Sequence, residues 1–140
     1  MFTSHLSLWS RERLIQAEAL LGSEWIGSPD CNEPVILCGD FNAKPSSIVC
    51  KRIGCKLRDV QTSLQSHNPF DTWMGHYPFS RRIDHIFVSP GIKVMSISVP
   101  QTELEKVSSD HLPLVVELKI NGTAKEAQSN LISHSEGKRS

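Results

Sequence analysis

The chain has no excess of charge of either sign: 15 Lys and Arg stand against 15 Asp and Glu, so its formal net charge at pH 7 is zero. A protein that grips long nucleic acid through backbone phosphates carries a basic surplus, and that class is disfavoured. A local patch of Lys51, Arg52, Lys56 and Arg58 remains, and it reads as a solvated helix end and loop. The four cysteines, Cys31, Cys38, Cys50 and Cys55, include no C-x-x-C pair. Zinc sites take ligands at tight, paired spacings, so reduced thiols are expected instead. No apolar run approaches the roughly 18 residues of a membrane span and no secretory signal core is present, which points to a soluble, cytoplasmic protein. Internal repeats and a coiled-coil seam are also missing. A length of 140 residues is that of one domain, long enough to bury roughly two-thirds of its unfolded surface.

What is present is a series of short apolar runs punctuated by turn residues. Met1–Leu6 reads as a strand that begins with no lead-in, as if the chain started mid-fold. Ser10 is placed to cap a helix running to about Leu21, where Gly22 stops it. Val35–Cys38 is a continuous apolar run that fits a strand buried on both faces, with Asp40 just past its end. Ser46 is expected to cap a short helix over Ile48–Ile53, closed by Gly54. Residues 61–82 form a long, turn-rich loop carrying Phe70, Trp73, Tyr77 and Phe79, and such loops are more often functional than decorative. Ile83–Ser89 and Ile92–Val99 read as two strands joined in a hairpin by Pro90-Gly91, the second with a parity change that marks a bulge. Leu112–Ile120 is the last strand. Residues 121–140 are polar, without periodicity, and are expected to be a disordered tail.

Three motifs place a carboxylate beside an apolar run: Gly39-Asp40-Phe41-Asn42, Ile83-Asp84-His85-Ile86, and Ser109-Asp110-His111-Leu112. Alone, each has a structural reading as a strand-to-turn junction or a local hydrogen-bonding carboxylate. Together they match a chemical need. Phosphate esters resist attack because their anionic oxygens repel a nucleophile, so catalysis requires a cation, a base for water and donors to the developing charge. His85 alternates onto the face of Ile83 and Phe87 and reads as a packed histidine. His67 and His76 lie in the long loop as substrate-facing or merely exposed residues.

The motifs and their order resemble the C-terminal half of the endonuclease/exonuclease/phosphatase (DNase I-like) superfamily, over residues from about 2 to 120. The resemblance implies an α+β fold: half of a four-layer α/β/β/α sandwich, with one mostly antiparallel sheet and flanking helices, truncated at the N-terminus. Residues 1–120 would be the C-terminal portion of that domain. It further implies a metal-dependent phosphoesterase, with Asp40 positioning water, Asn42 and His5 contacting the phosphate, Asp84 orienting His111, and Asp110 beside the metal together with Asp40. The cofactor would be Mg²⁺ or Mn²⁺, and the substrate a nucleic acid, phospholipid or small phosphodiester. The family's main metal carboxylate belongs to its N-terminal half, and Glu12, Glu18 and Glu24 do not match that motif. A second reading therefore stands beside the enzyme: a non-catalytic remnant that associates with itself or a partner through an exposed inner sheet face.

Overall fold

The computed structural model describes residues 1–32, 34–75 and 79–121. Along the chain it has β1 (Phe2–His5), α1 (Ser10–Leu21), β2 (Ile36–Asp40), α2 (Ile48–Gly54), β3 (Arg58–Asp59), a 3₁₀ turn (Val60–Thr62), β4 (Trp73–Met74), β5 (Ser80–Arg81), β6 (Asp84–Val88), β7 (Lys93–Ser98), α3 (Glu103–Ser108) and β8 (Val115–Lys119). The main sheet has the order β1-β2-β6-β3. Only β1 and β2 run parallel; β6 is antiparallel to both of its neighbours. Two further pairs, β4–β5 and β7–β8, stand apart from it.

Register and alternation divide the core in two. Leu37 lies opposite Phe87 while Ile36 and Cys38 lie opposite Val88 and Ile86, so the two sets face opposite sides of the sheet. Leu37 and Phe87 pack with Ala17 and Leu21 of α1 and Val49 and Ile53 of α2. On the other side Val88, Ile36 and Ile86 meet Val94 of β7, Leu114 just before β8, and Val116 and Leu118 of β8. Each large apolar side chain that is fully buried contributes about 1.5–3 kcal/mol relative to exposure. The helix face therefore dominates the stability. Among the described residues it holds twelve buried members, whereas the other side buries Val60, Val88, Ile92 and Val94 and leaves Ile36, Ile86, Leu114, Val116 and Leu118 half-buried. The expectation of a β2 buried on both faces is corrected accordingly.

Local sequence logic is corrected in several places. Ser10 is the first helical residue rather than the cap; Trp9 holds the cap position without a side-chain bond. The entry is stabilised instead by Arg13, which donates to the carbonyls of Ser7 and Leu8, and by Glu12, which accepts from the Ser7 hydroxyl. Ser47, not Ser46, caps α2 by accepting from the Cys50 N–H at 3.2 Å, and Gly54 is the last residue of that helix. Asp40 is the last residue of β2 rather than one beyond it. Helix α3, with no buried residue, was not anticipated by any apolar period.

The hairpin across Pro90-Gly91 does not form. Both ladders of β6 are already taken by β2 and β3, so β7 has no vacant edge there and pairs with β8. Buried Ser89 fixes the departure: its N–H donates to the Val35 carbonyl at 2.9 Å and its Oγ accepts from the Val35 N–H at 2.5 Å. The bulge does exist, as a register shift between Val94 and Ser96. The last strand is shorter than expected, beginning at Val115, because Pro113 keeps the preceding residues out of the ladder. The expected tail, beyond Asn121, and the loop residues His76 and Tyr77 lie outside the described residues.

Candidate active site

Register decides which side chains meet. His5 is the Cα partner of Asp40 across β1 and β2, and Asp40 is the partner of Asp84 across β2 and β6. Paired residues share a face, so these three stand in a row at one end of the sheet, on the side away from the helices. The close approach of β1 needs Gly39, whose φ is +145° and where a Cβ would fall 1.8 Å from the Ser4 carbonyl oxygen. Three residues on, Asn42 takes φ +48°, a left-handed conformation that Asn tolerates better than most residues. The turn this makes aims Asp40: the Asn42 N–H donates to Asp40 Oδ1 at 2.8 Å, and the Asn42 amide donates to the Leu6 carbonyl at 2.7 Å. Asp40 Oδ2 is left facing His5 Nε2 at 3.5 Å and His111 Nε2 at 3.8 Å.

His111 comes from a different part of the chain. The segment Asp110–Leu112 runs against Thr72–Met74, with the Met74 N–H donating to the Asp110 carbonyl at 2.7 Å and the Leu112 N–H donating to the Thr72 carbonyl at 2.6 Å. This places His111 Nδ1 2.8 Å from Asp84 Oδ2. The buried Thr72 hydroxyl donates to the same oxygen at 2.6 Å and accepts from the Asp84 N–H at 3.1 Å. An ionised carboxylate only accepts, so Nδ1 carries a proton and Nε2 points at the Asp40 side of the site. Sequence reasoning missed Thr72. Its hydroxyl sits in an aperiodic loop, and no spacing marks it.

The structure thus gathers Asp40, Asp84 and His111, with ligand atoms all within 4.8 Å of one another, and sets His5 and Asn42 beside them. Asp110 stands outside that group. Its Oδ2 accepts the indole N–H of Trp73 at 2.9 Å, so the carboxylate implied beside the metal is engaged in holding an aromatic ring. A cavity of about 580 Å³ opens over the site, lined by His5, Asp40, Asn42, Trp73, Arg81 and His111 among others. Trp73 is the loop aromatic that reaches it. His85 is a packed core residue, 2% exposed, with Nε2 2.8 Å from the Ala43 carbonyl, and burial lowers its pKa. His67 is turned toward Gln61 Oε1 at 3.2 Å.

Burial alone would lower the His111 pKa, but the hydrogen bond and charge of Asp84, with the charges of Asp40 and Asp110, outweigh it and raise the pKa above the ordinary 6.5. A raised folded-state pKa means that protonated His111 stabilises the fold at pH below about 6.5, and that this contribution disappears as pH rises through the folded value. Proton-detected titration of the metal-free chain should find His111 above the ordinary imidazole value. In Asp84→Asn it should fall, because the hydrogen bond and charge that raise it are gone. An unmoved His111 titration would show that Asp84 does not control it.

A model of the family described as Endonuclease/Exonuclease/phosphatase matches residues 3–111. Nocturnin of Xenopus laevis is 26% identical over 132 residues, which is 81% of this chain and 34% of that protein. The catalytic domain of human Nocturnin, solved with a bound sulfate anion, is 29% identical with a TM-score of 0.67, over 85% of this chain and 46% of that one. The mannosyl-6-phosphatase Bt3783 of Bacteroides thetaiotaomicron VPI-5482 is 25% identical with a TM-score of 0.68, over 85% of this chain and 51% of that one. The chain spans about half or less of the length of each of these proteins.

Proposed function

The chain belongs to the endonuclease/exonuclease/phosphatase family, whose model covers residues 3–111, and on that premise we propose that its site hydrolyses a phosphomonoester or phosphodiester with the help of a divalent metal. The observation that carries the reading is the Asp84–His111 hydrogen bond at 2.8 Å, aimed so that His111 Nε2 and Asp40 Oδ2 face each other across the floor of one cavity. Water entering that gap would give a proton to Asp40. His5 and Asn42 would hold phosphoryl oxygens, and protonated His111 would donate through Nε2 to the oxygen that gains charge.

The donors present fit a hard cation, but sparsely. Each carboxylate has one oxygen engaged, Asp40 Oδ1 by Asn42, Asp84 Oδ2 by His111 and Thr72, and Asp110 Oδ2 by Trp73; Asp40, which lines the cavity, would hold Mg²⁺ or Mn²⁺. Such ions keep several waters and need only one or two carboxylates plus substrate oxygens. When bound, the ion would polarise the phosphoryl group. We read the chain as the C-terminal portion of a larger catalytic domain, so the ion would be held weakly by these residues alone. The four unpaired thiols fit a reducing, cytoplasmic setting.

The test is Asp40→Ala. Mg²⁺ should raise the melting temperature of the wild-type chain by linkage and leave that of Asp40→Ala unchanged. Any Mg²⁺-dependent hydrolysis of bis(p-nitrophenyl) phosphate should disappear with it. Circular dichroism should be unaltered, since what the fold loses is one capping bond of Asp40 Oδ1, worth about 1 kcal/mol. Hydrolysis retained by Asp40→Ala would place the chemistry elsewhere.

A second reading, a binding fragment, is favoured by one specific feature. The β7–β8 ribbon has no strand beyond it among the described residues, and Met95, Val115 and Ile120 along it are 45%, 51% and 48% exposed. Unpaired ladders beside apolar side chains recruit further strands. Light scattering should therefore find dimers or larger species, and a monodisperse monomer would remove the support for that reading.

A further inference from the structure

Arg81 is shared by two cavities. On one side it lines the catalytic cavity with Asp40 and His111; on the other it lines a separate space of about 420 Å³ with Lys44, Ser46, Asp71, Ser80 and Arg82. The charges in that second space are not equally free. Asp71 accepts from the Ser80 hydroxyl, and Arg82 is matched at 2.9 Å by Asp59. Lys44 and Arg81, both exposed, have no carboxylate partner among the described residues.

The Arg81 cation is held in place by something other than an anion, and the Lys44 side chain leaves from fixed backbone. The Arg81 guanidinium lies 5.8 Å from the centre of the Trp73 ring, its partner across β4–β5, and Trp73 is itself anchored by Asp110. Lys44 follows Ala43, whose carbonyl is 2.8 Å from buried His85, and its own carbonyl accepts from the Ser47 N–H at 2.9 Å. Cations positioned in advance lose less freedom when an anion arrives, and Arg with Lys is a common pairing for phosphate.

We infer that Lys44 and Arg81 form a second anion subsite, one cavity removed from the catalytic carboxylates, which takes a second phosphate group of the substrate. The inference rests on the phosphoesterase reading of Asp40 and His111 and narrows it to small molecules carrying a phosphate besides the scissile one. The zero net charge of the chain agrees with a small bisphosphorylated substrate better than with a long polyanion, which would need many more matched cations.

The experiment is a titration of the ¹⁵N-labelled chain in Mg²⁺ buffer with methyl phosphate and with alkanediol bisphosphates of increasing linker length. Amides of Asn42 and His111 report the catalytic cavity; those of Lys44 and Ser80 report the second. One linker length should bind about tenfold more tightly than methyl phosphate, a gain that shrinks as KCl is added. Lys44→Glu should abolish the gain and leave methyl phosphate affinity unchanged, because Lys44 does not line the catalytic cavity. The subsite is overturned if no bisphosphate exceeds methyl phosphate, or if the gain survives Lys44→Glu. If methyl phosphate leaves Asn42 and His111 unmoved while a bisphosphate still binds in a Lys44-dependent way, the subsite stands and the phosphoesterase reading of the catalytic cavity falls.

Discussion

Asp84→Asn should cost the proposed phosphoesterase reaction about 10⁴-fold in rate, the size of loss seen when the carboxylate behind a catalytic histidine becomes an amide. Asp84 Oδ2 is the acceptor for both His111 Nδ1 and the Thr72 hydroxyl. An asparagine turned to present its NH₂ to Nδ1 would force the proton to Nε2 and leave the imidazole neutral. The ring would then be unable to carry the charge that its raised pKa now favours. Thr72→Val should have a smaller effect, about tenfold, since it removes the two hydrogen bonds of the hydroxyl to Asp84 but no charge. Rates are to be measured on bis(p-nitrophenyl) phosphate with this chain, or with the chain joined to its upstream sequence if that form is the faster. A rate for Asp84→Asn within tenfold of wild type would remove Asp84 from the mechanism.

Much of this site was legible before any coordinates, because its carboxylates mark the ends of apolar runs. A strand core of Val35–Cys38 leaves Asp40 at a sheet end, and Ile83-Asp84-His85 splits an acid and a histidine onto opposite faces. The alternation is borne out: His85 is buried against the helices while Asp84 turns the other way. What could not be read is the part that depends on which strands have vacant edges. Pro90-Gly91 is a sound local signal for a hairpin, yet β6 has no free ladder and β7 belongs to another layer. Thr72 was hidden for a related reason. It matters because Asp110–Leu112 docks beside it, and a pairing between residues so far apart in sequence leaves no periodic trace in either segment. Asp110 shows the limit of reading a motif residue by residue, because the neighbour that claims its carboxylate is an indole outside the motif.

Gly39→Ala should be the most damaging single change to the fold near the site, costing about 4 kcal/mol or more. The new methyl group would lie 1.8 Å from the Ser4 carbonyl oxygen, in backbone with φ +145° that an L side chain rarely adopts. Neither atom is at the end of a flexible side chain, so the strain cannot relax locally. The cheapest relief is to release β1, which among the described residues is an edge strand held to the sheet by β2 alone. His5 would leave Asp40, buried Leu6 would lose its place in the helix-side core, and the Asn42 amide would lose the Leu6 carbonyl. Hydrogen exchange should then rise first at Leu6, whose N–H now donates to the Asp40 carbonyl at 2.9 Å, before it rises at β6. Gly54→Ala is the matching control. That glycine ends α2 with nothing within 4 Å of an added Cβ, so alanine there should be neutral or stabilising by about 0.5–1 kcal/mol. A Gly39→Ala protein that melts with Gly54→Ala and protects Leu6 as wild type does would mean that β1 is not held against β2 as closely as the register of Ser4 and Gly39 requires.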